Sequence, residues 1–339
     1  MTKPIRLVQL THPTGQRRVA LVEEPQLRLL DGPSSIYEAA LQAVDKKIPL
    51  HQLITTLASQ SLLDYDSIYG GQNEWQLLPS FDHPENPAAC LVSGTGLTHK
   101  NSALGRQMMH QTQDSLTSPP TDSLRIYQWG VEGGSPKPGT VGVQPEWFYK
   151  GTGHALRAHN QQLEIPPFGD DGGEEPEVAG VYIVDPSGHP WRVGLTTANE
   201  FSDHVMEKKN YLYLAPSKLR NCAIGPELVI GGAFTTIDGK VSIRRNGQSA
   251  WTTPVHTGAQ HMAHSLENLE HHHFKYPDHR VPGQAHIHFF GADAFSFSKG
   301  FVLQDGDVME IEWAGMGRPL HNPLKKGQPV KSLVKPGIL

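Results

Sequence analysis

Two cysteines, Cys90 and Cys222, are all that 339 residues contain. That is too few for a disulfide framework or a paired-cysteine metal site, so both are expected to be reduced and buried. No run approaches the roughly 18 apolar residues of a membrane span, and the N-terminal MTKPIRLVQL lacks an apolar signal core, so a cytoplasmic location is expected. Neither sign of charge dominates. The formal charge is −5, and lysines and arginines are scattered, which leaves no electrostatic footprint for nucleic acid or an anionic membrane. A small-molecule partner is favoured.

Glycine and proline, by contrast, are abundant at 34 and 27, and they cut the chain into short runs. An α+β protein, mostly β, is expected. The first 89 residues differ from the rest. Short β runs at Arg6–Leu10, Val19–Glu23 and Gln26–Leu30 precede a helical pattern from Ile36 to Lys46, opened by a Ser35/Glu38 capping box. A second helical pattern follows Pro49, from Leu50 to Leu63. This predicts a small α/β N-terminal domain over residues 1–89 and a larger, mostly β domain over 90–339. In the latter, runs such as Ala89–Val92, Gly180–Val184, Glu227–Ile230 and Val308–Trp313 alternate with turn clusters. Thr112–Thr121 and Glu132–Gly142 are expected to be loops.

The chemistry concentrates between Gly169 and Ile230. Glu175 and Glu177 stand two apart at the mouth of an apolar β run, so their carboxylates share one face of a strand. Crowded in that way they call for a cation. A hard, oxygen-liking ion, Mg2+ or else Mn2+ or Ca2+, suits them. A second run, Val193–Thr197, closes on Glu200, and a hairpin turning at Asp185-Pro186-Ser187-Gly188 would bring that carboxylate to the same place. The histidine-rich stretch from His256 to His288 lacks companion acidic or cysteine ligands in order, and Ser265–His272 is instead expected to be a polar helix.

These residues resemble, in order and spacing, the fumarylacetoacetate hydrolase superfamily, with Glu175, Glu177 and Glu200 at its metal-ligand positions and Lys218 before Gly225-Pro226. The resemblance runs on through Leu303-Gln304-Asp305-Gly306-Asp307 and Gly317–Asn322. Within the superfamily the stretch Glu207–Lys218, EKKNYLYLAPSK, is most similar to the 2-keto-3-deoxy-pentonate dehydratases. Glu200 stands where an Asp is usual, His204 replaces an Arg, and Phe290-Gly291-Ala292 replaces a T-G-T turn. The resemblance implies a mixed β-roll catalytic domain, a homodimer, and a small 2-oxo acid held on the metal. Lys150 in Phe148-Tyr149-Lys150-Gly151, Ser102, His204, Tyr211 and Ala292 would border that substrate.

The expected reaction is dehydration of a 3-deoxy sugar acid, with Lys218 taking the C3 proton and Glu207 or His204 protonating the departing C4 hydroxyl. Desolvation beside the cation is expected to depress the Lys218 pKa. The competing expectation is a hydrolase that cleaves a C–C bond of an acylpyruvate or 2,4-diketo acid, with His99 activating water while Ser102 stands in the usual histidine's place. A third is a noncatalytic sugar-acid-binding protein on the same scaffold.

Overall fold

The computed structural model describes residues 4–110, 120–328 and 333–339. Most of the expected Thr112–Thr121 loop therefore lies outside the described residues. Among them, a twelve-stranded mixed sheet dominates. From one edge its strands run Ala58–Asp64, Gln26–Leu30, Arg17–Glu23, Ile5–Thr11, Cys222–Ile230, Pro190–Asn199, Pro176–Val184, Ala285–Phe289, Cys90–Gly94 and Phe148–Thr152. Gln76–Leu77 and Leu156–Arg157 attach to it beside Ile5–Thr11 and Cys222–Ile230. A second, five-stranded sheet contains Gln248–Thr257, Ile237–Arg245, Val308–Trp313, Leu320–Lys326 and Leu163–Ile165. The α+β class expected from the sequence is what is found.

Period-two alternation assigns the two cores. On Pro176–Val184, Ala179, Val181 and Ile183 pack with Ile36, Tyr37, Ala40 and Ile54 of the first two helices. Val178 turns the other way and meets Val241, Val255, Ile311 and Trp313 of the second sheet. The strands of the first ninety residues continue the large sheet directly, because Ile5–Thr11 pairs antiparallel with Cys222–Ile230, Leu7 opposite Leu228.

Local signals account for most boundaries. Ser35 caps the helix Ile36–Asp45, its hydroxyl accepting from the Glu38 N–H at 3.1 Å, while the Glu38 carboxylate reaches back to the Ser34 N–H at 2.9 Å. The second helix departs from expectation: it ends at Leu57, and Ala58–Asp64 forms an edge strand on Gln26–Leu30. Thr55 and Thr56 end that helix with hydroxyls turned onto the carbonyls of His51 and Gln52, and Ala58 is already extended. Ser265 caps the helix Leu266–Phe274 as expected. The helix Asp122–Gly133 takes the first two residues of the stretch expected as a loop from Glu132. No helix among the described residues is long and apolar enough to cross a membrane.

Candidate metal and substrate site

The hairpin Pro176–Val184/Pro190–Asn199 sets the site. Asp185 locks its turn, accepting from the N–H groups of Ser187 and His189 at 2.8 and 3.0 Å and from the Trp191 indole at 2.8 Å, while Gly188 takes φ +81°. The register that results places Pro176 opposite Asn199. The Glu200 N–H then donates to the Glu175 carbonyl at 3.0 Å, and the Asn199 side-chain carbonyl accepts from the N–H groups of both Glu175 and Phe201. Phe201 follows at φ +40°, a left-handed conformation uncommon for a bulky residue and held here by those bonds.

Glu175, Glu177 and Glu200 come together as expected. All three are buried, and one carboxylate oxygen from each lies within 4.8 Å of the others. Lys218, at the end of the short helix Leu214–Lys218, puts its Nζ 2.6 Å from Glu175 Oε2, 3.2 Å from Glu200 Oε2 and 3.0 Å from Ser202 Oγ. His204 Nε2 is 3.1 Å from Glu175 Oε1, its ring stacked on Phe295 at 4.6 Å. The Gly291 N–H donates to Glu177 at 2.6 Å.

The electrostatics are those of too many carboxylates for the cations present. Burial pushes Glu177 well up, and the charges of Glu200 and Glu175 push the same way. Burial also raises Glu200, to about 8, Lys218 offsetting only part of it. Glu175 goes the other way: despite burial, Lys218 and the bond from His204 hold it well below the usual carboxylate range. Glu200 Oε1 is buried without a hydrogen-bond partner among the described residues. Three hard oxygen donors, one of them orphaned, fit a divalent cation of the Mg2+ type, which takes carboxylates and leaves positions for water or a chelating ligand.

The fall expected for the Lys218 pKa belongs to the cation-loaded site, and in the metal-free one the shift runs the other way. Burial alone would depress its pKa, but the charges of Glu175 and Glu200 outweigh burial and raise it. Lys150 lies behind the site and not on its wall: its Nζ donates to the carbonyls of Phe201 and Lys218 at 2.6 and 3.0 Å, with Glu200 at 3.8 Å. Burial lowers it to about 8.

The cleft above the carboxylates is lined by Ser102, Glu207 and Ala292, as expected, and by Gly96, Leu97, Arg106, Gly291 and Phe295. Tyr211 is not brought there; it is about half exposed on a separate short turn. His99 is not on the wall either. Its Nδ1 lies 2.9 Å from Thr98 Oγ1 and its Nε2 3.1 Å from Thr257 Oγ1, in a fully packed position. The Thr98 hydroxyl donates to the Phe290 carbonyl at 2.7 Å, so it accepts from His99. His99 thus props the Phe290-Gly291 backbone whose N–H meets Glu177.

Arg106 escaped the sequence argument. It is buried between Glu146 and Glu207, Nη1 at 2.9 and 3.0 Å from the two Glu146 oxygens and Nε at 2.6 Å from Glu207. The available signal was its place four residues after Ser102 on the helix Lys100–His110, which puts both on one face.

No protein-family model matches the sequence, and no curated protein matches it either. Solved structures do match. A 2-keto-3-deoxy-D-arabinonate dehydratase complexed with magnesium and 2,5-dioxopentanoate is similar at TM-score 0.68 and 19% identity over 95% of this chain and 99% of that one. A 2-hydroxyhepta-2,4-diene-1,7-dioate isomerase from Mycobacterium marinum gives 0.57 and 16%, covering 95% and 98%. A 5-carboxymethyl-2-hydroxymuconate delta-isomerase from Mycobacterium smegmatis gives 0.55 and 15%, covering 95% and 100%. The chain has the fold of these solved enzymes.

Proposed function

We propose that this chain is a divalent-metal-dependent hydro-lyase that removes water from a 2-keto-3-deoxy sugar acid of pentonate length, giving a 2-oxo-semialdehyde. The observation that carries this is the placement of Lys218 against two of the three carboxylates, in a cleft lined by no histidine among the described residues. The solved dehydratase of the same fold, complexed with magnesium and 2,5-dioxopentanoate, supports it.

Glu175, Glu177 and Glu200 hold the cation, which when bound supplies a Lewis acid for negative charge on the substrate's 2-oxo oxygen. Lys218 is the base that removes the C3 proton, and Ser202 and Glu175 orient its amine. Glu207, a carboxylate paired with Arg106 on the cleft wall, accepts from the C4 hydroxyl and orients it, and that hydroxyl leaves as water with the proton Lys218 took from C3. The resulting enone becomes the 2-oxo-semialdehyde by two tautomerisations, a C5 proton moving to C3 to leave the 4,5-enol and the O5 hydroxyl proton then moving to C4, with no net change beyond the lost water. The Gly291 N–H holds Glu177 in place, and Thr98 fixes the backbone just before it through the Phe290 carbonyl.

Product masses from a panel of 2-keto-3-deoxy sugar acids and 2,4-diketo acids with Mg2+ test the reading. Loss of water from the sugar acids is expected, and C–C cleavage of a diketo acid would favour the hydrolase instead.

His99→Ala is expected to lower turnover by about tenfold to a hundredfold, the scale of a lost orienting contact. A loss near ten-thousandfold would mean that His99 is itself a general base. The same variant changes acid stability. Burial lowers His99 to about 3, so its neutral form stabilises the fold above its unfolded value of 6.5, and that contribution is lost as pH falls towards 3. Thermal melts of the two proteins should therefore converge between pH 6 and pH 4.

A further inference from the structure

The cleft lined by the three metal-binding carboxylates is also lined by Arg106 and Glu207, which with Glu146 form a second charged group. Arg106 is a carboxylate-binding fork with both working faces occupied. Its Nη1 is shared by the two oxygens of Glu146 at 2.9 and 3.0 Å, and its Nε is paired with Glu207 at 2.6 Å. One guanidinium against two carboxylates leaves this wall with a net negative charge. All three side chains are largely buried, so solvent screens that charge weakly.

We infer that this wall selects the substrate's far end: the site takes 2-oxo acids that terminate in neutral hydroxyls and rejects 2-oxo dicarboxylates. The inference rests on the proposed reading of the site as one that holds a 2-oxo acid on a divalent cation.

The donors and acceptors left over agree with the charge. Arg106 Nη2 faces Gly96, 3.3 Å from where a Cβ at that position would lie. A methyl there would overlap the Glu146 carboxylate, so glycine is what lets the triad sit against the cleft. The Ser102 hydroxyl donates to the His99 carbonyl at 3.0 Å and keeps its lone pairs for the cleft. A terminal hydroxyl both donates and accepts, so it can accept from Nη2 on one side and donate to a Ser102 or Glu207 oxygen on the other. A terminal carboxylate only accepts. It would need the fork that Glu146 and Glu207 already fill, and would meet their charge at close range.

Calorimetry in saturating Mg2+ tests this with three ligands of five carbons: 2-oxopentanoate, 5-hydroxy-2-oxopentanoate and 2-oxoglutarate. The wild-type protein should bind the hydroxy acid at least tenfold more tightly than 2-oxoglutarate. Glu146→Gln removes one charge and frees part of Arg106, and should narrow that ratio by tenfold or more. Glu207→Gln removes the other carboxylate and should act in the same direction, which keeps the test decisive if the first variant fails to fold. Equal wild-type affinity for 2-oxoglutarate and the hydroxy acid, or a ratio that neither variant moves, would overturn the selection by charge alone. Failure of all three acids to bind would instead remove the 2-oxo-acid site, and this inference with it.

Discussion

Glu177→Gln leaves the metal-free protein folded and abolishes the rise in unfolding temperature that Mg2+ gives the wild type. In the metal-free protein, burial and the charges of Glu200 and Glu175 push Glu177 well up, which favours its protonated form, and glutamine is the close mimic of that form. The amide oxygen can still accept from the Gly291 N–H, now 2.6 Å from the carboxylate, so the loop at Phe290 and Gly291 keeps its anchor. Near pH 6 the two metal-free proteins should melt within about 1 kcal/mol of each other, the scale of an ordinary polar replacement. A ligand that binds only the folded state stabilises by about 2.7 kcal/mol at one hundred times its dissociation constant. That increment should vanish in the variant, and its survival at wild-type size would place the cation elsewhere.

The same carboxylates fix a pH dependence. Glu200 is raised to about 8, above its unfolded value of 4.5, so its contribution to stability is fully present below 4.5 and is lost as pH rises through about 8. Protons and cation compete for one set of oxygens, so Mg2+ affinity should increase over the same window. Glu177→Gln removes a second carboxyl that burial keeps protonated and whose ionisation at higher pH would add to that fall, so it should flatten the alkaline loss of melting temperature.

How far the sequence leads is visible in particular residues. The Glu175/Glu177 pair, the turn at Asp185 and the return to Glu200 are local: spacing of two, turn residues, and strand length dictate them, and all three carboxylates meet where expected. The segment after Leu50 was not legible to the same degree, because LITTLASQSLLD satisfies a helical period until Thr55 and Thr56 end the helix and an edge strand takes Ala58–Asp64. Motif spacing placed His99 and Tyr211 near the substrate, but spacing carries no direction. Leu97 at φ +55° turns the chain so that Gly96 and Leu97 face the cleft while His99 points into the packing around Thr257. The triad of Arg106, Glu146 and Glu207 is assembled only by tertiary structure, from segments forty and sixty residues apart, and only the Ser102-to-Arg106 step is local.

Lys218→Met should abolish exchange of C3 protons of a bound 2-oxo acid with deuterium from solvent, and dehydration with it, by about a hundredfold to ten-thousandfold, the span of a lost general base. What holds the proton on Lys218 decides when it can act. In the metal-free protein, burial would release it, but Glu175 at 2.6 Å and Glu200 at 3.2 Å outweigh burial and keep Lys218 an ammonium. Lys218 becomes a competent base only when those carboxylates have another cation to face, so exchange should require Mg2+ as well as the amine. Methionine matches the length of the lysine stem and can pack on the Phe148 ring, whose centroid lies 4.9 Å from Nζ. Removing a positive charge beside the carboxylates should leave Mg2+ affinity undiminished. Lys218→Arg separates charge from basicity: it keeps a permanent cation against Glu175 and Glu200 but cannot deprotonate. It should preserve metal-free stability better than the methionine variant and be equally inactive in exchange. Exchange at the wild-type rate in either variant would assign the base to another residue, and loss of Mg2+ binding in the methionine variant would show that Lys218 organises the site and does not act on substrate.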